Sequence, residues 1–242
     1  MVVIISHKYR FIFIKTRKTA GSSLEIALSQ FLGDADVITP CMPLEEEKVR
    51  KELGYRSAQN YQLPLRRWQP RHYADFFLGH RPKLFSAHSN AQRVFNEMPV
   101  DTWNRYTKIL TVRNPYFYVL SLYSWHSRHS RATVDGFREW LLQGEGDLRF
   151  SNYGMGKVNG KSEVDLVLKF EDLPAGIRTL CEATGVPAGL IEGFEKINAK
   201  KSPNVSPLGA SEAFDGFEVG IRYIEKRFSE EISLFGYEQP KW

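Results

Sequence analysis

The stretch Phe11-Ile12-Phe13-Ile14-Lys15-Thr16-Arg17-Lys18-Thr19-Ala20-Gly21-Ser22-Ser23 decides the fold. Its first four residues are β-branched or aromatic, the composition of a strand buried on both faces. Leu24, Ala27, Leu28, Phe31 and Leu32 then recur at helical spacing, and Gly33-Asp34 supplies a stop. Strand, tight polar loop and helix in that order open a parallel α/β unit.

The same alternation recurs downstream. Lys108-Ile109-Leu110-Thr111-Val112 reads as a strand ending at Arg113, with Asn114 as cap and Pro115 as first residue of the next helix. Asp165 to Phe170 reads as a further strand, followed by a helix that stops at Gly185. Lys83 to Ser86 is expected as a short strand that delivers His88 to its end. Thr133 to Gln143 carries Phe137, Trp140 and Leu141 at helical spacing, and Phe217, Ile221, Ile224, Phe228 and Ile232 mark one face of a last helix. Residues 147–160, rich in Gly and Asn, and 200–209 read as loops. The expected fold is therefore α/β: a P-loop-like parallel sheet of about four to five strands flanked by helices on both faces. Residues 1–242 read as one domain, with an insertion or long loop at 42–80. Within it, Glu45-Glu46-Glu47 is expected as a solvated helix face.

Bulk properties bound the function without naming it. The 242 residues are 42% hydrophobic and 25% charged, ordinary for a folded domain, and the formal net charge is +5. A modest excess of Lys and Arg suits an anionic ligand. Two cysteines, Cys41 and Cys181, do not make a disulfide scaffold, so a reducing, cytoplasmic compartment is the simpler expectation; a trimmed Golgi-lumen catalytic domain stays open. No apolar run has the length of a membrane span.

The first loop has anion chemistry. N–H groups of a tight turn ahead of a helix cradle an anion, and the helix dipole adds to them. Gly21 allows close backbone approach, Ser22 and Ser23 add hydroxyls, and Lys18 adds charge. The nucleotide-triphosphatase loop G-x-x-x-x-G-K-[ST] is not met, because Lys18 precedes Gly21. A plain strand-to-helix turn with an exposed lysine is the alternative. A second element is Arg113, at the strand end where open α/β sheets bind ligands, with Ser121 eight residues on. A guanidinium matches phosphate geometry; an ordinary salt-bridged arginine and a surface serine are the competing reading.

Taken together, Lys18-Thr19-Ala20-Gly21-Ser22-Ser23 after a strand, Val112-Arg113-Asn114-Pro115 with Ser121, Lys169-Phe170-Glu171-Asp172-Leu173 and Leu234-Phe235-Gly236-Tyr237 resemble PAPS-dependent sulfotransferases. The branch resembled is that of carbohydrate 2-O- and 6-O-sulfotransferases and bacterial relatives. PAPS is 3′-phosphoadenosine 5′-phosphosulfate; its desulfated product is PAP. The resemblance implies a P-loop-like enzyme that moves a sulfuryl group from PAPS to an acceptor hydroxyl, on a carbohydrate by default, with no metal required. It implies that Lys15, Arg17, Lys18, Thr19, Ala20, Gly21, Ser22 and Ser23 hold the donor's 5′ end, and Arg113 and Ser121 its 3′-phosphate. The late Arg-Lys-Gly element of the cytosolic branch is absent, and Lys200, Lys201 and Ser202 are the candidates to bind the donor in its place. Lys18 is the expected stabiliser of the leaving oxygen.

For the base, an imidazole with a pKa of about 6.5 suits proton removal at neutral pH, and the resembling branch uses a histidine in a comparable place. His88 is the candidate, with Glu25 the substitute and His126 next. His126 and His129 lack the further ligands of a metal site. Arg66, Arg67, Trp68, Arg71 and His72 read as a solvated loop or as a grip on an anionic glycan. Partners expected are a small-molecule donor and a glycan or other hydroxyl compound, with no nucleic acid. A P-loop kinase or NTPase, and a non-catalytic nucleotide- or glycan-binding module on this scaffold, are the competing functions.

Overall fold

A computed structural model describes residues 3–41, 44–86, 89–128, 130–144, 151–200 and 208–240, the side chains of 198–200 excepted. The opening stretch folds as read. Strand β1 (Val3–Ser6) turns back into β2 (Phe11–Ile14), and helix α1 (Gly21–Ser29) follows the polar loop. α1 stops at Gln30, short of Gly33. A two-residue strand β3 (Val37–Ile38) precedes α2 (Leu44–Glu52), α3 (Pro70–Phe77), α4 (Ala91–Glu97) and α5 (Val100–Arg105). β4 (Thr107–Val112) leads into α6 (Pro115–His126), capped by the Asn114 side chain as the sequence indicates, and then α7 (Val134–Gln143). The hairpin β5 (Lys157–Val158) and β6 (Lys161–Ser162) comes next, then β7 (Leu166–Lys169), α8 (Leu173–Thr184) and α9 (Gly189–Lys200). The chain ends in α10 (Ala210–Phe214), α11 (Glu218–Arg227) and α12 (Ser229–Phe235).

The main sheet has the order β3-β1-β2-β4-β7. β2, β4 and β7 are parallel, while β1 runs antiparallel to both of its neighbours, so a parallel core carries an antiparallel edge. Period-two alternation sorts the strands onto two faces. Phe11, Phe13, Ile109 and Leu168 pack with α1, α8 and α9 on one face. Ile12, Ile14, Leu110 and Val112 pack with Phe85, Ala91, Val94 and Trp103 on the other. A third cluster joins α6 and α7 to α10 and α11 through Tyr118, Phe137, Phe214 and Phe228. The α/β class with helices on both faces is thus the observed architecture.

Several local expectations are corrected. Lys83–Ser86 is not a strand of the sheet: Lys83 forms one isolated bridge with Gln62, and Phe85 is buried without a ladder. Apolar Leu84-Phe85 imitated a strand because burial alone selects such residues. The last helix is two, broken at Phe228. Of the expected loop 147–160, the described residues 151–160 hold a 3₁₀ turn (Tyr153–Gly156) and the start of the hairpin. Glu45-Glu46-Glu47 is a solvated face only at Glu45, which is exposed: Glu47 binds Arg50 and the Cys41 N–H, and Glu46 lies 3.7 Å from the Lys15 ammonium. Buried cations draw in carboxylates that composition alone assigns to solvent.

Candidate functional site

The parallel register brings the carboxyl ends of β2, β4 and β7 to one edge. Ile14 pairs with Leu110, and Val112 with Lys169, so Lys15–Ala20, Arg113 and Phe170 leave the sheet side by side. This is the edge where open α/β sheets bind ligands.

The loop is held from below by hydroxyls. Thr16 donates to the Thr111 carbonyl at 2.6 Å, and the Thr16, Thr19 and Thr111 Oγ1 atoms lie within 2.6–2.9 Å of one another. All three threonines are buried, so this cluster anchors the loop to β4. From the side, buried Asn152 accepts from the Arg17 N–H and donates to the Arg17 carbonyl, both at 3.2 Å. Lys18 (φ 57°) and Ala20 (φ 54°) take the left-handed conformation, which non-glycine residues avoid at a cost of about 1–3 kcal/mol. The threonine and asparagine bonds offset that cost. Among the described residues, the N–H groups of Thr19, Ala20, Gly21 and Ser22 have no acceptor. Buried Ser23 Oγ has no partner either. Unpaired donors at a helix N-terminus form an anion cradle.

Arg113 faces this cradle. Its Nη1 donates to the Lys18 carbonyl at 2.9 Å and its guanidinium lies 4.2 Å over the Phe170 ring. Its Nε is out of solvent and unpartnered, and it forms no ion pair among the described residues. Burial lowers its pKa from the usual value, with Glu171 opposing, yet an arginine stays charged at neutral pH. Ser121 is buried on α6 and its Oγ makes no hydrogen bond among the described residues.

The third and fourth motifs meet behind Arg113. Lys169 Nζ donates to the Phe235 carbonyl at 2.8 Å, and the Tyr237 hydroxyl donates to Glu171 at 3.3 Å. Glu171 accepts from the Asn114 N–H at 2.6 Å, and Asn114 Nδ2 donates to the Glu238 carbonyl. Burial beside Glu171 pushes the Tyr237 phenol up, so it stays a donor. The chain end thus fixes the strand end on which Arg113 rests.

Behind the cradle lies a buried charge network. Lys15 Nζ is 3.3 Å from Glu25, and Glu25 also pairs with Arg50. Arg50 is fully buried, pairs with Glu47 at 3.0 Å and reaches the Cys41 sulfur at 2.8 Å. The Cys41 thiol is pushed far up by burial, with Glu25 adding, so it is no nucleophile. Lys15 is therefore spent on carboxylates, and Glu25 has both oxygens occupied. Gly21 has its own reason: a Cβ there would lie 2.7 Å from Lys15 Cγ, so its missing side chain makes room for the Lys15 stem.

His88, His129, Lys201 and Ser202 lie outside the described residues, as does the side chain of Lys200. The strand that was to carry His88 is absent. Its flanks are nonetheless held, since Phe85 and Ala91 pack in the layer that contains Ile14 and Val112. His126 is exposed at the end of α6. Among the described residues, no group of three or more metal-ligating side chains occurs, and no helix is long and apolar enough to cross a membrane. Asn152, Arg50, Thr16 and Thr111 support the site from outside the motifs; of these, Thr111, polar within an apolar strand, was a visible signal. No family model matches the sequence, and no curated protein sequence matches it.

Proposed function

We propose that the chain is a sulfotransferase that takes a sulfuryl group from PAPS and passes it to an acceptor hydroxyl on a carbohydrate. The observation that carries this reading is Arg113: a partly buried guanidinium that forms no ion pair among the described residues, bonded to the loop whose N–H groups have no acceptors there. Buried charges are normally paired, so an arginine left this way beside an anion cradle suits a ligand with two separate anionic groups. The donor supplies a sulfuryl group on a phosphate leaving group. The Thr19–Ser22 N–H groups and Ser23 Oγ bind its 5′ end, and Arg113 with Ser121 binds its 3′-phosphate. Lys18 stabilises charge on the phosphate oxygen as the S–O bond breaks, a role in positioning and electrostatics that needs no metal. His88 takes the acceptor's proton as the new O–S bond forms.

The kinase or NTPase reading has less support. The loop lacks a Lys-Ser/Thr pair after its last glycine, and Asp172, the candidate Mg²⁺ ligand, caps α8 by accepting from the Ala175 N–H. Calorimetry with PAP, ATP and AMP tests the choice. Binding of PAP well ahead of ATP without Mg²⁺ is expected; ATP binding as tightly as PAP sinks the proposal. For the base, His88→Ala lowers kcat about 10²–10⁴-fold with PAP affinity kept; an unchanged rate assigns proton transfer elsewhere.

A further inference from the structure

Residues 64–81 form a finger whose large apolar side chains lie outside the three apolar clusters of the body. Its neck is a clasp: Leu63 N–H donates to the Pro82 carbonyl and Leu84 N–H to the Tyr61 carbonyl, both at 2.9 Å. The finger is a built element. Pro70 starts α3, the Gln69 and His72 side chains form a reciprocal cap, and Trp68 Nε1 donates to the Leu63 carbonyl. Trp68 packs edge-on against Tyr73 at 5.1 Å, and Phe76 stacks beside both Trp68 and Phe77. Yet none of these side chains joins the three apolar clusters of the body. Instead they open outward: Leu65 is 62% exposed, Leu78 74% and Phe77 85%. Folding gains nothing from leaving two adjacent large apolar residues in water, and contiguous exposed apolar surface marks a contact.

The charge around this tip has one sign. From Leu65 to Lys83 the chain carries four arginines and one lysine against a single carboxylate, Asp75. All five cations are exposed, and of them Arg67 is engaged with Glu97 at 2.7 Å. An exposed pair, Phe77 and Leu78, with aromatic rings beside it and basic residues on either side in sequence, has the composition of an interfacial anchor: rings and apolar residues enter the headgroup boundary while Lys and Arg meet anionic lipid. A glycan site would need a concave wall with an open aromatic face, and Trp68 is instead committed to its neighbours.

We propose that the finger docks the protein on an anionic lipid surface. This holds independently of the reaction catalysed at the sheet edge. The test is co-sedimentation of the full chain with phosphatidylcholine vesicles, with and without phosphatidylglycerol, alongside sedimentation equilibrium without vesicles. Binding to the anionic vesicles is expected, weakening as salt rises. Phe77→Asp with Leu78→Asp, at positions too exposed to affect folding, abolishes it. Arg66→Gln with Arg71→Gln lowers the partition coefficient about thirtyfold at low salt. No binding to anionic vesicles overturns the proposal, as does binding that survives Phe77→Asp with Leu78→Asp. Concentration-dependent self-association removed by that pair also overturns it, by making a second copy the occupant.

Discussion

Arg50 and Arg113 lie on opposite sides of the same loop, and both have a buried Nε without a partner. Their charges are handled differently. Arg50, on α2, is fully buried and neutralised by Glu25 and Glu47. Arg113, at the end of β4, has a carbonyl and an aromatic ring in contact, with Glu171 acting on it but no ion pair among the described residues. One cation is ion-paired within the fold; the other forms no ion pair among the described residues and has capacity for a further anion. The difference separates what holds the loop in shape from what the loop is shaped for.

The sharpest way to break this comparison is to truncate both arginines. Arg50→Ala leaves Glu25 buried against Lys15 alone and costs about 3–5 kcal/mol of folding stability, read by urea denaturation. Arg113→Ala removes one hydrogen bond and the contact with the Phe170 ring and costs about 1–2 kcal/mol. Equal losses would place Arg113 in the scaffold rather than the site.

Next in size is Lys18→Ala. If Lys18 stabilises charge on the leaving oxygen, kcat falls about 10²–10³-fold while the donor KM stays near wild type. A raised KM with kcat intact would make Lys18 a simple binding residue.

The smallest effect sharpens the front side alone. Ser23 Oγ is buried without a partner, so Ser23→Ala leaves the thermal midpoint unchanged or raised. Loss of one ligand hydrogen bond, about 0.5–1.5 kcal/mol, weakens PAP about two- to tenfold. A fall in stability with PAP binding unchanged would mean that the hydroxyl serves the fold.

The front of the site was far more legible in the sequence than the back. β2, β4 and β7 are apolar runs whose ends carry the loop, Arg113 and Phe170, so local pattern sufficed. β1, Val3-Ile4-Ile5-Ser6, is equally apolar but turns straight back into β2 with no loop and helix after it to mark it as a unit of the sheet. The back depends on contacts that no local pattern encodes. Lys15, Glu25 and Arg50 come from a loop and two helices, and Asn152 reaches Arg17 across 135 positions. Such partners are chosen by burial: once a cation is taken out of water, a carboxylate must follow. Lys83–Ser86 erred in the opposite sense, because Phe85 is core without being strand.

The central claim is that Arg113 waits for the 3′-phosphate of the donor. Calorimetry of PAP and of adenosine 5′-phosphosulfate, which lacks that group, on wild type and Arg113→Ala tests it most directly. A charge-assisted pair is worth about 1.5–3 kcal/mol, so PAP should weaken about ten- to a hundredfold while adenosine 5′-phosphosulfate is nearly unchanged. Equal weakening of both ligands, or of neither, would contradict the account.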